Sequence, residues 1–225
     1  MLGQITRLIA LMAALFAALA GPVAAGAWPR DRKEGFLSAT SRISGPGWAG
    51  PYSVYSTTYI EYGLGRRLTA GFDIGHGISG SGKAVVFLRK SLPEMGRGHV
   101  VAAELGLGQI AGEPTVRPGL SWGRGITRRS GSTGWLSLET VAEFRLDSGR
   151  VDLKADFTLG LNHGARLKSI LQVQTGVSQG DPSFIRAAPS VAVKLGRKAH
   201  VELGLTAGIV GDTDYGLKLG LWREF

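Results

Sequence analysis

The sequence predicts an all-β fold, an antiparallel up-and-down transmembrane β-barrel of about 12 strands, with 10 to 14 as the range the turns allow. Three observations predict it. Hydrophobicity alternates with a period of two along most of the chain. The alternating segments run to about 10 to 12 residues, longer than the usual five or six but matched to a tilted membrane strand. The chain ends on an alternating apolar strand whose last residue is Phe225.

Ahead of the first strand the chain reads as an export signal. A single basic residue, Arg7, precedes an unbroken apolar run from Leu8 to Ala20, then Gly21-Pro22 and the small-residue string Val23-Ala24-Ala25-Gly26-Ala27. The apolar run is short for a membrane-spanning helix, which needs about 20 residues. Cleavage is expected after Ala25 or Ala27, giving residues 1–27 as a signal peptide and 28–225 as a single barrel domain. An uncleaved N-terminal anchor is the alternative.

Composition narrows the classes. Hydrophobic residues make up 44% of the chain, yet after Trp28 they are dispersed and no stretch approaches a spanning helix. Cysteine is absent, which excludes thiolate metal sites and cysteine nucleophiles. The net charge of +9 suits anionic lipid, lipopolysaccharide or a solubilising surface, and the export signal sets nucleic acid aside as a partner. Glycine, at 35 residues, is about twice as frequent as usual without forming repeats.

The first two strands are expected at 36–43 and 54–62. Leu68, Ala70, Phe72 and Ile74 then alternate with Thr69, Gly71, Asp73 and Gly75. Strands follow at 83–90, 100–108 and 115–123, the last carrying Pro118, which lacks a ladder donor. In 136–146, Leu136, Leu138, Thr140, Ala142, Phe144 and Leu146 oppose Ser137, Glu139, Val141, Glu143 and Arg145. The strictest segment is 151–161, where every odd residue is apolar and every even one is polar or glycine. A helical stripe cannot produce that pattern. Strands at 166–177, 185–195 (with Pro189), 201–209 and 215–225 complete the set. A soluble β-sandwich would also alternate, but the strand lengths and the mixed Asp, Glu, Lys, Arg and Gly composition of the polar face favour a barrel lumen.

The closing strand places Tyr215, Leu217, Leu219, Leu221 and Phe225 on one face, with Arg223 beside them at a lipid-side position. It resembles the last strand of Gram-negative outer-membrane β-barrels, whose final Phe is read by the barrel-assembly machinery. That resemblance implies a place in the cell outer membrane, with outer-membrane lipid and the assembly machinery as partners. Residues 61–71, Glu-Tyr-Gly-Leu-Gly-Arg-Arg-Leu-Thr-Ala-Gly, are similar to a strand-turn-strand of the meta-pathway phenol-degradation family of outer-membrane proteins. That likeness implies help for hydrophobic compounds crossing the membrane. An open edge cannot be hydrated in hydrocarbon, so the last strand must pair with the first. An even strand number then puts both termini on the periplasmic side.

Counting turns back from Phe225 sorts charge between two rims. Arg197-Lys198, Arg166, Arg124, Arg128-Arg129, Arg89-Lys90, Arg97 and Arg66-Arg67 fall on the periplasmic side. Asp212, Asp214, Asp181, Asp147, Arg150, Glu113 and Lys83 fall on the other. Contact of the basic rim with lipid phosphates accounts for this sorting; a field drawing cations to a pore is the sharper alternative. Trp122, Trp135, Tyr62 and Phe225 are expected in one aromatic girdle, and Trp48, Tyr52, Tyr55, Tyr59 and Phe184 towards the other end.

By parity the lumen is lined by Asp73, Glu104, Arg117, Glu139, Glu143, Arg145, Asp152, Lys154, Asp156, Arg166, Lys168, Lys194, Glu202 and Lys218. Both signs are present, so cross-lumen ion pairs can form, and glycines at positions such as 71, 106, 160 and 204 leave room. The functional expectation is a narrow pore or passive transporter for small molecules. A non-conducting structural or binding barrel is the alternative. An outer-membrane enzyme is the third class, and no histidine here lies two residues from a serine as a lipase-type barrel would want. No metal or cofactor site is expected.

Overall fold

Alternation of this kind forms strands because each residue turns the side chain to the opposite face, and a closed sheet offers those faces two different solvents. In the computed structural model, which describes residues 26–225 apart from 48–49, 79, 81, 129–130, 181 and 212, that is the outcome. Twelve strands are formed: β1 (Gly35–Gly45), β2 (Ser53–Gly65), β3 (Leu68–Gly77), β4 (Gly82–Ser91), β5 (His99–Ile110), β6 (Glu113–Thr127), β7 (Thr133–Arg145), β8 (Val151–His163), β9 (Leu167–Ser178), β10 (Phe184–Leu195), β11 (Ala199–Val210) and β12 (Tyr215–Glu224). Each pairs antiparallel with its sequence neighbours. The ring closes where β1 meets β12, in a ladder from Phe36 opposite Glu224 to Gly45 opposite Tyr215. All twelve expected strands are present, and the described residues contain no helix.

The apolar parity faces outward. Phe72, Leu88, Leu105, Leu120 and Leu203 each expose about half or more of their surface. A continuous apolar surface of this size is a liability in water and the requirement of a bilayer. Tyr215, Leu217, Leu219, Leu221 and Phe225 belong to the same outer face. Arg223 interrupts it only at the last β11–β12 pair, opposite Ala199, where an interface makes a charge tolerable.

The prolines are accommodated on one side each. Pro118 pairs with Leu105 of β5 but has no partner in β7, and Pro189 pairs with Leu171 of β9 but has none in β11. The register resumes unshifted beyond both gaps, so each missing donor leaves a local opening in the ladder and no slip.

β1 begins and β12 ends at one rim, the terminal rim, together with the alternate turns holding Arg66-Arg67, Arg97, Arg128, Arg166 and Arg197-Lys198. Arg66 and Arg67 both have positive φ, 51° and 61°, which a tight two-residue hairpin requires and which glycine or asparagine adopts more readily. The distal rim holds Glu113, Asp147, Arg150 and Asp214; Arg129, Asp181 and Asp212 lie outside the described residues. Arg89 and Lys83 leave the rims on which they were placed, because their parity with Val85 and Phe87 turns them inward. The girdle is also revised. Trp122 and Tyr62 face outward, but Trp135, Tyr55, Tyr59 and Phe184 point into the lumen; Trp48 lies outside the described residues.

Candidate functional site

The lumen is built from inward side chains of every strand and from one segment that belongs to no strand. Along β2–β6 the inward charges join into a single run of ion pairs. Arg30 Nε lies 2.7 Å from Glu61 Oε2, and Glu61 Oε1 takes Arg89 Nη1 at 2.5 Å. Arg89 Nη2 reaches Glu104 at 2.7 Å, and Glu104 holds Arg117 at 3.0 Å. Asp73 ends the run between Arg117, at 2.5 Å, and Lys83, at 2.8 Å. Cation and carboxylate alternate throughout, so each buried charge has opposite neighbours that offset its desolvation. Tyr59 accepts from Arg89 and donates to Glu61, while Phe87 stacks on Tyr59 and lies under the guanidiniums of Arg89 and Arg117.

Residues 26–34 enter through the terminal rim and lie against this wall. Arg89 Nη1 donates to the carbonyl of Gly26 at 2.8 Å, and Ser91 Oγ to that of Ala27 at 2.7 Å. Ala27 is wholly buried, with Val100 and Ala102 around it. Trp28 packs against the cluster of Trp135, Ile170 and Ala192 from across the barrel, and Trp222 packs on the same cluster. A Cβ on Gly123 would overlap the Trp28 indole, so glycine is needed there for the close approach.

The opposite wall encloses space. A cavity of about 580 Å³ runs along β1, β2 and β7–β12. Hydroxyl and amide side chains such as Thr40, Thr57, Thr158, Gln172 and Gln174 line it, with Arg42, Lys154, Arg186 and Lys218 among them. Its terminal-rim end is an apolar floor of Phe36, Trp135, Ile170 and Trp222, which Trp28 completes. Three cations on this side are paired locally: Lys154 with Glu143 at 2.6 Å, Arg145 with Asp152 at 2.5 Å, and Lys218 with Glu202 at 2.8 Å.

Of the residues expected in the lumen, Asp73, Glu104 and Arg117 join the ion-pair run. Glu139, Glu143, Asp152, Lys154, Asp156, Glu202 and Lys218 also stand on the inner wall. Lys168 points inward at the terminal end of β9, its Nζ 5.8 Å from the Trp135 ring. Arg145 and Lys194 occupy strand ends, and Arg166 is exposed in the β8–β9 turn, off the wall. Glu61, Lys83, Arg89, Arg42 and Arg186 were not anticipated there, although parity within their own strands points each of them inward. Trp28 and Arg30 carry no such signal. Among the described residues no three histidines or carboxylates gather as metal ligands. His163 Nε2 lies 2.6 Å from Ser169 Oγ across the β8–β9 hairpin, a pairing that a search along the sequence cannot find. Both are on the outer face, and no further hydrogen bond from another described residue orients the imidazole.

No protein-family model matches the chain, and no curated protein matches it. Solved structures do. An outer membrane channel from Pseudomonas putida F1 superposes with a TM-score of 0.57 at 10% identity, over 88% of this chain and 98% of the channel. The KdgM porin in complex with disordered oligogalacturonate gives 0.61 at 8% identity, over 84% and 99%. The β domain of the Bordetella autotransporter BrkA gives 0.51 at 14% identity, over 87% and 100%. The fold is that of an outer-membrane β-barrel. The expectation drawn from the closing strand at Phe225 is met at the level of fold, and the lumen of this barrel is divided into a filled wall and an open one.

Proposed function

We propose that the protein is a narrow outer-membrane pore for small polar solutes, in which residues 26–34 form the floor of the closed state. The observation that carries this reading is the 580 Å³ cavity, walled by hydrogen-bonding side chains and ended by a floor in which Trp28, from outside the strands, lies on Trp135, Ile170 and Ala192. A purely structural barrel gains nothing from an interior space that a few larger side chains would fill with favourable contacts. The lining favours solutes that exchange hydrogen bonds over the hydrophobic compounds implied by the likeness at residues 61–71. The fold's similarity to a channel and to a porin supports passage, and the apolar outer belt with its terminal aromatic supports the outer membrane, with the terminal rim periplasmic. Export with loss of the leader belongs to the same reading.

Planar-bilayer recording tests it. The mature protein is expected to give small or brief conductance steps, Trp28→Ala larger ones, and a chain lacking residues 26–33 a steady open level. Silence from all three would reject the pore in favour of a non-conducting scaffold, which the ion-pair run along β2–β6 would then best explain.

A further inference from the structure

Glu139 and Asp156 are inner-wall carboxylates outside the ion-pair network, and of the two Glu139 has no side-chain partner. It stands directly opposite Asp156 on the β7–β8 ladder, both facing inward, an arrangement in which like charges repel. Asp156 accepts a hydrogen bond from Gln174. No hydrogen bond or ion pair ties Glu139 to another described side chain. Arg89, the nearby cation, is already committed: Nε and Nη2 to Glu104, Nη1 to Glu61 and the Gly26 carbonyl, Nη2 also to Tyr59.

What does approach Glu139 is the backbone of Gly26. A Cβ placed there would lie 2.5 Å from Glu139 Oε1, so the α-carbon itself rests against the carboxylate. The position is fixed independently by the bonds from Arg89 to the Gly26 carbonyl and from Ser91 to the Ala27 carbonyl. The sequence immediately before it, Val23-Ala24-Ala25, has the small residues that an exporting cell's signal peptidase accepts next to its cut.

We propose that cleavage after Ala25 creates the missing cation, and that Glu139 is the binding site for the chain's own new amino terminus. Hydrolysis of the Ala25–Gly26 amide consumes one water, leaves a carboxylate on the released leader and places a primary ammonium on Gly26. That nitrogen is one bond from the carbon already touching Glu139. The resulting charge-assisted hydrogen bond separates Glu139 electrostatically from Asp156 and anchors the segment that carries Trp28. Before the cut the same nitrogen is an uncharged amide, so the anchor exists only in the processed protein. A cut after Ala27 would instead discard both carbonyls that Arg89 and Ser91 hold. The inference concerns how the segment is fixed and stands whether or not solute passes.

The test uses the full chain exported in a Gram-negative host and purified from outer membranes in detergent. Intact mass and amino-terminal sequencing are expected to give Gly26; a start elsewhere overturns the proposal. The folded protein is then treated with an amine-acylating reagent near neutral pH, and α-amino labelling is followed by peptide mapping in wild type and Glu139→Gln. Loss of the charged partner is expected to speed labelling about tenfold. Equal rates would mean that the terminus is merely enclosed, and would overturn the ion pair. A heat-modifiable gel shift certifies that both proteins are folded barrels; if Glu139→Gln lacks it, Glu139→Asp, which withdraws the carboxylate by one methylene, takes its place in the same comparison.

Discussion

The two walls of this lumen are made from the same alternating pattern and behave differently. Along β2–β6 the inward residues are long, charged and matched, and they close on one another and on the incoming segment. Along β7–β12 and β1 they are mostly hydroxyls, amides and glycines, with Lys154 and Lys218 paired to near neighbours on their own wall. The difference teaches that pore width in a barrel of this size is set less by strand number than by where the cations reach. Arg89 and Arg117 bridge between strands and fill the volume. Lys154 and Lys218 pair along the wall and leave it.

The largest expected effect tests that contrast in stability. Arg89→Met takes a cation from two buried carboxylates at once, leaving Glu61 with Arg30 and Tyr59 and Glu104 with Arg117 alone, and removes the donor to the Gly26 carbonyl, so unfolding in denaturant should show a loss of about 3–5 kcal/mol. Thr158→Ala on the open wall should stay within about 0.5 kcal/mol. Lys218→Met should fall between them at about 1–3 kcal/mol, because Glu202 keeps Ser190 Oγ and Trp222 Nε1 as donors. Equal losses for all three would show that the filled wall is not a distinct unit.

A second experiment moves the boundary between the walls without touching the segment itself. Gly123→Leu puts a side chain where the Trp28 indole lies, and overpacking of that kind costs about 1–3 kcal/mol if the segment stays. The segment is held at its far side by Arg30 and by the Lys33 amide, which bonds the Gly63 carbonyl at 3.0 Å. We expect Trp28 to leave and the bilayer conductance to approach that of the chain lacking residues 26–33. Unchanged conductance with a matching drop in stability would mean that Trp28 is a fixed part of the wall.

The strands were legible in the sequence because a bilayer outside and a polar lumen inside impose a period of two that nothing else in the chain imitates; even the segments interrupted by Pro118 and Pro189 were found. Most of the lumen was legible by the same parity. Arg89 and Lys83 send two conflicting signals: closeness to a turn points to the rims, alternation with Phe87 and Val85 points to the lumen, and in the fold the alternation prevails. Trp135 and Tyr59 were not legible in the same way, because an aromatic near a strand end fits either the lipid girdle or the lumen, and composition does not choose between them. The contribution of residues 26–34 was not legible at all. A segment that lies across strands obeys their register at no position, and its buried Gly26 and Ala27 read as the tail of a leader.

The smallest expected effect concerns charge at the distal half of the open wall. The distal rim carries Glu113, Asp147 and Asp214 against the single cation Arg150 among its described residues, an excess that would draw cations, but Arg42 and Arg186 stand on the cavity wall below it. Rim charges meet bulk electrolyte and are screened over about 8–10 Å. Charges that line the path of the solute act at shorter range in a confined space, so the wall should outweigh the rim and favour anions. Reversal potentials across a salt gradient, recorded on the chain lacking residues 26–33 so that the floor does not limit current, measure this. Arg42→Gln with Arg186→Gln should lower the anion-to-cation permeability ratio about two- to fivefold, and Glu113→Gln with Asp147→Asn should leave it nearly unchanged at physiological salt. The opposite ranking would place the selective element at the rim and make the open wall a passive space.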